Sequence, residues 1–143
     1  MKQRINNLLQ QGKFKDAEKA CKDALDACQT DSDIWSLMAT IQAQLGNISE
    51  AGRCSVRAIE IAPDDFSAHF CLAMTQQTQG DMESAISSYR KTVELQPSHA
   101  GAHVNLGMIL SNMGRYEEAI THLRTAIKFY PRESEVFYQL GNA

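Results

Sequence analysis

Four glycines recur at one spacing along this chain: Gly12, Gly46, Gly80 and Gly114, each 34 residues from the next. Three further columns keep the same register. Ala17, Ala51, Ala85 and Ala119 each follow a glycine by five residues. Ala24, Ala58 and Ala126 form a third column, with Thr92 as its exception. Pro63, Pro97 and Pro131 form a fourth, with Gln29 in the first unit. A period of this length means stacked supersecondary units, each unable to bury its apolar face without a neighbour.

Each column has a physical reason. The glycine ends one apolar-periodic segment (IWSLMATIQAQLG, HFCLAMTQQTQG, HVNLGMILSNMG) and precedes another (ISEAGRCSVRAIEIAP, MESAISSYRKTVELQP, YEEAITHLRTAIKFYP). Beyond a helix end, glycine takes the left-handed conformation cheaply, so it closes the first helix and opens a tight turn. Proline has no N–H to continue a helix and disfavours helical geometry before it, so it closes the second. The alanines let two helices approach where a larger side chain would overpack. Ile59, Val93 and Ile127 follow as apolar fill. Every unit reads as an antiparallel helical hairpin. The units fall at about 1–31, 32–65, 66–99 and 100–133, with a partial fifth over 134–143, all in one domain.

The fourth unit carries His103, Leu106, Gly107, Leu110, Ala119, Leu123 and Pro131. The second carries Trp35, Met38, Ala39, Ala51 and Pro63, and the third His69, Leu72, Ala73, Ala85, Tyr89 and Pro97. This pattern resembles the tetratricopeptide repeat, whose signature runs W-x2-L-G-x2-Y, A-x3-F and P. The first unit departs from it, with Arg4 and Ile5 in place of Leu-Gly and no proline. The resemblance spans essentially the whole chain. It implies an all-α, right-handed α-solenoid of stacked antiparallel helix-turn-helix repeats, with first helices lining a concave face and second helices covering the convex one.

Charge follows that division. In 32–45, 66–79 and 100–113, Asp33 is the only charged residue. The second helices mix both signs, as in Glu50, Arg53, Arg57 and Glu60, or Glu117, Glu118, Arg124 and Lys128, with i,i+4 pairing expected on a solvated face. The groove-facing columns of the family fall on Ser36, Leu37, Thr40, Ala43 and Gln44. In the third unit they fall on Phe70, Cys71, Met74, Gln77 and Thr78, and in the fourth on Val104, Asn105, Met108, Ser111 and Asn112. The implied groove is neutral, with an apolar floor and amide or hydroxyl groups around it. Such a surface suits an apolar peptide or an amphipathic helix.

Two binding devices of the family do not carry over. Its carboxylate clamp needs cations and asparagines on successive first helices. Lys2 and Asn6 fit, but Leu37, Ser67 and Cys71 fill the remaining columns. A buried carboxylate without charged partners would not be held. Of an asparagine ladder only Asn105 is present, with Leu37, Cys71 and Gln139 elsewhere in the column.

The remaining chemistry reads as structural. His69 and His103 share a column with Trp35 and Phe137 and are expected to pack between helices, while His99 and His122 read as turn and surface residues. Trp35 reads as core fill. Cys21 and Cys28 lie roughly 10.5 Å apart on a helix at 1.5 Å per residue, too far for a disulfide. Free thiols are expected for them and for Cys54 and Cys71. No phosphate loop, nucleophile elbow or metal motif is recognisable. The reading is therefore a non-enzyme without catalytic, metal or cofactor sites.

A formal net charge of −3 gives no basic stripe, so no nucleic-acid partner is expected. No apolar run approaches the ~20 residues needed to cross a bilayer, so no membrane partner is expected. MKQRINNLLQQGKF lacks the apolar core of a leader, and a cytoplasmic location is expected.

Ser134 opens the partial fifth unit. There Phe137, Leu140 and Gly141 fall in the columns of His103, Leu106 and Gly107. An uncovered leucine or phenylalanine forfeits ~1.5–3 kcal/mol. The chain is therefore expected to continue as a longer array or larger protein, or to bury this end against another copy. The leading expectation is a protein-interaction scaffold that takes a peptide or helix in its groove. The alternatives are a homo-oligomeric scaffold joined through Phe137, Tyr138 and Leu140, and the N-terminal arm of an enzyme such as a glycosyltransferase or sulfotransferase.

Overall fold

In the computed structural model, which describes residues 2–129, the glycine column takes the left-handed conformation the period demands. Gly12, Gly46, Gly80 and Gly114 have φ of 73°, 84°, 86° and 80°. Each follows a helix end, and the next residue reaches back to an orphan carbonyl five positions upstream. Lys13 N bonds Leu8 O at 2.9 Å, Asn47 N bonds Gln42 O at 2.8 Å, Asp81 N bonds Gln76 O at 2.9 Å and Arg115 N bonds Leu110 O at 2.8 Å. This is the Schellman closure, repeated four times.

These turns join α1 (Lys2–Gln10) to α2 (Phe14–Ala27), α3 (Ser32–Gln44) to α4 (Ile48–Ile61), α5 (Phe66–Thr78) to α6 (Met82–Leu95), and α7 (Ala100–Asn112) to α8 (Tyr116–Phe129). The described residues form these eight helices and no strand. Pro63 and Pro97 stand just past α4 and α6. Pro131 and the partial fifth unit, with Phe137, Tyr138, Gln139 and Leu140, lie outside the described residues.

Each second helix also packs on the next first helix, so the hairpins stack without a break into an α-helical repeat solenoid. The alanine column is the seam within each hairpin: Ala17, Ala51, Ala85 and Ala119 are all fully buried. Thr92, the exception in the third column, is buried too. Its hydroxyl donates to the Ser88 carbonyl at 2.9 Å, which removes the penalty of a polar group in the core.

Helix starts are capped by side chains. Asp31 accepts from Asp33 N at 3.0 Å, Asp65 from Ala68 N and Asp81 from Ser84 N, both at 3.2 Å. The exposed second-helix charges pair mainly at i,i+3 rather than the expected i,i+4: Arg53–Glu50 at 2.9 Å, Arg57–Glu60 at 3.2 Å and Arg115–Glu118 at 2.8 Å. The i,i+4 spacing is represented by Lys22–Glu18 at 3.7 Å.

Along the stack, α3 packs directly against both α1 and α5, whereas no two successive second helices make comparable contact. This direct approach of first helices is found for α1, α3 and α5 and not between α5 and α7.

Candidate functional site

The groove residues expected on α3, α5 and α7 divide into three groups. Thr40, Gln44, Met74 and Asn112 are exposed, and Met74 leaves 41% of its surface open. Leu37, Phe70, Gln77, Val104, Asn105, Met108 and Ser111 are half-buried. Ser36 and Cys71 are buried, which corrects their place in a ligand-facing lining.

Each has a reason. The Ser36 hydroxyl donates to the Asp65 carboxylate at 2.6 Å, so the next unit's helix cap covers it. Cys71 belongs to the core cluster that also holds Ile41 and Cys54. Its burial raises the thiol's pKa above the ordinary range.

The third and fourth units build the most ordered part of the face. Tyr89 on α6 is fully buried, and its hydroxyl donates to Gln77 Oε1 at 2.7 Å. The Tyr89 hydroxyl oxygen in turn accepts from Asn105 Nδ2 at 3.2 Å. Burial pushes the phenol up to about 12, so it stays protonated and keeps donating. The Phe70 ring lies 5.8 Å from that of Tyr89 and 4.5 Å from that of His99. Two amides and three rings thus fix one wall between α5 and α7, and Val104 packs beside the Leu123–Ala126 cluster.

At the other end, a cavity of about 300 Å³ is lined by Lys2, Asn6, Asp33, Ser36, Leu37, Thr40, Asp65 and Ser67. Lys2 is its one cation, and it is bound by Asp33 at 2.9 Å and Asp31 at 3.2 Å. Both bonds raise its pKa, Asp33 more than Asp31. The lysine that fits a carboxylate clamp is therefore already paired within the chain.

Sequence reasoning missed a cavity of about 900 Å³ on the opposite side. It lies between α2, α4 and α5, with Leu25, Trp35, Val56 and Leu72 among charged residues of both signs. Trp35 thus lines open space as well as packing on the core. The signal was Gly52, where an added Cβ would meet Thr75 Cγ2 at 3.1 Å. That glycine brings α4 close to α5 and lowers the cavity wall.

The aromatic column does more than pack. Trp35 Nε1 donates to Gln29 O at 2.8 Å, and the Nε2 atoms of His69 and His103 lie 2.9 Å from the carbonyls of Pro63 and Pro97. His122 corrects its surface reading: it is half-buried, with Nδ1 3.1 Å from His103 Nδ1. His99 sits in a turn as expected, but it also caps α7, its Nδ1 accepting from Ala102 N at 3.1 Å. No helix among the described residues is long and apolar enough to cross a membrane.

Comparison with known proteins places this geometry. The family model described as tetratricopeptide repeat matches residues 8–73 and 77–140. A crystal structure of MamA superposes with a TM-score of 0.84 at 18% identity, over 96% of this chain and 81% of that one. A second MamA structure, AMB-1, gives 0.83 at 21% identity, over 98% and 83%. The crystal structure of YrrB, described as a TPR protein with an unusual peptide-binding site, gives 0.77 at 25% identity, over 94% and 69%. No curated protein matches the sequence.

Proposed function

Because this chain belongs to the tetratricopeptide repeat family, whose stacked helices serve as protein-interaction scaffolds, we propose that its first-helix face holds an apolar peptide or amphipathic helix. One observation carries the reading. Leu37, Phe70, Met74, Val104 and Met108 stay partly open on helices whose only charged residue is Asp33. Apolar burial then drives binding, and the methionines adapt to the shape of the ligand. Gln44, Gln77, Asn105 and Asn112 supply donors and acceptors for a peptide backbone. The peptide-binding site for which YrrB is described supports the choice of a peptide over a small molecule.

The test starts from a random peptide library selected on the immobilised chain, followed by calorimetric titration of the enriched peptide. Affinity is expected to change less than about threefold between low and high salt, because a neutral groove has little charge to screen. Met74→Glu and Met108→Glu each weaken it by about tenfold, the equivalent of ~1.4 kcal/mol. Enrichment of strongly charged peptides whose affinity collapses with salt would overturn the neutral-groove reading.

A further inference from the structure

The start of α7 differs from the starts of α3 and α5 in the chemistry of its cap. Asp31, Asp65 and His99 stand in one column, each 34 residues from the next. The two carboxylates accept from Asp33 N and Ala68 N, whereas at His99 the acceptor is an imidazole nitrogen. A carboxylate caps a helix at any pH above about 4. An imidazole caps only while Nδ1 keeps its lone pair. A proton there removes the acceptor and sets a positive charge at the positive end of the helix dipole.

One turn further on, His103 has a similar constraint. The Pro97 carbonyl can only accept, so His103 Nε2 carries a proton and, in the neutral ring, Nδ1 is left as an acceptor. It faces His122 Nδ1 at 3.1 Å, the ring centroids 5.3 Å apart. This bond holds with no charge on the pair or with one. With two charges, N–H would face N–H.

The surroundings offer little to offset a charge. His99 lies against Phe66 and Phe70, at ring distances of 5.8 and 4.5 Å. On α5 the ionisable side chains are His69 and Cys71, and on α7 the one such group is His103, the single charge that acts on His99. His122 is faced by His103 of α7, Arg90 of α6 and Glu118 of its own helix. Glu118 is already held by Arg90 and Arg115, each at 2.8 Å.

We propose that α7 and α8 form an acid-sensitive latch. A proton taken up by His99 frees the start of α7 and loosens its packing on α5, and a second charge on the His103–His122 pair loosens its packing on α8. Burial lowers the pKa of His99 and of His122 below 6.5. The opened hairpin therefore binds more protons than the closed one. The stability from these contacts is complete above the ordinary histidine value and is lost as pH falls through the lowered ones. Because the His99 ring lies against Phe70, the latch acts on the groove wall whatever occupies the groove.

The test is amide hydrogen exchange by NMR on the full chain from about pH 7.5 to about pH 5, the span over which imidazole changes charge. Rates are corrected for their intrinsic pH dependence. Opening at the Ala102 amide is expected to rise up to tenfold per pH unit for each proton taken up. The Ala68 amide, capped by Asp65, is expected to stay flat. His99→Asp, which matches the other two caps, flattens the Ala102 profile, and His122→Asn reduces its slope. If His99→Asp does not fold, ring titrations in the unmodified chain decide, with both His99 and His122 expected to titrate below 6.5. Parallel profiles at Ala102 and Ala68, or ring titrations at or above that value, overturn the latch.

Discussion

Trp35 donates its indole N–H to the carbonyl of Gln29 at 2.8 Å, across the turn that joins α2 to α3. His69 and Pro63, and then His103 and Pro97, make the same six-residue bridge at the next two junctions. The carbonyl belongs to the column that closes one unit, and the ring to the first helix of the next. Trp35→Phe keeps most of the ring and loses the donor. It should cost about 0.5–1.5 kcal/mol, the net worth of one such bond. Urea denaturation reads this as a lower midpoint with an unchanged slope. An unchanged midpoint would show that the bridge contributes nothing.

Gly107 and Gly101 lie on the same helix and should respond to alanine in opposite senses. A Cβ at Gly107 would sit 2.7 Å from Leu123 Cγ and 3.2 Å from the Ala119 carbonyl oxygen, within the fully buried seam of the hairpin. Gly107→Ala is therefore expected to destabilise by about 1–3 kcal/mol. At Gly101 the nearest atoms, on His99 and Phe70, are 3.4 Å away. Gly101→Ala should stabilise by roughly 0.5 kcal/mol through the lower entropy of the unfolded chain. Thermal melts of the two variants, read against the parent, check both signs.

Tyr89 is the hinge of the amide network in the groove wall. Tyr89→Phe removes the donor to Gln77 and the acceptor for Asn105 at almost constant volume. The two amides are half-buried and can reach water, so the loss should be about 1 kcal/mol rather than the full penalty of two orphaned groups. Chemical denaturation measures it. A loss well above that would mean that the two amides are left without water once the hydroxyl is gone.

The repeat was legible because it rests on backbone constraints that few residues satisfy. A positive φ at Gly46 or Gly80 is cheap only for glycine, and the fully buried position of Ala51 tolerates little more than a methyl. The inner face was less legible. Ser36 and Thr40 share one side of α3, four residues apart, yet Thr40 is exposed and Ser36 is covered by Asp65 of the next unit. A column predicts the direction of a side chain, not what its neighbouring unit lays over it. For the same reason His122 read as a surface residue. Its partner lies 19 residues away on the facing helix, and no periodicity marks it.

The four cysteines should separate in reactivity by position alone. Cys28 is exposed just past α2, and its sulfur lies 3.5 Å from the Thr30 hydroxyl. That contact, with the Thr30 backbone, lowers its pKa and enlarges the thiolate fraction near neutral pH. Burial acts oppositely on the others, raising Cys21 to about 11 and Cys54 to about 12, with Cys71 raised as well. Since the thiolate is the nucleophile, an aromatic disulfide reagent should modify Cys28 quickly and the rest only in urea. Cys28→Ser is expected to abolish the fast phase and leave the slow one intact. Fast reaction of Cys71 in the folded chain would place its sulfur on the groove surface after all, reversing the burial assigned to it.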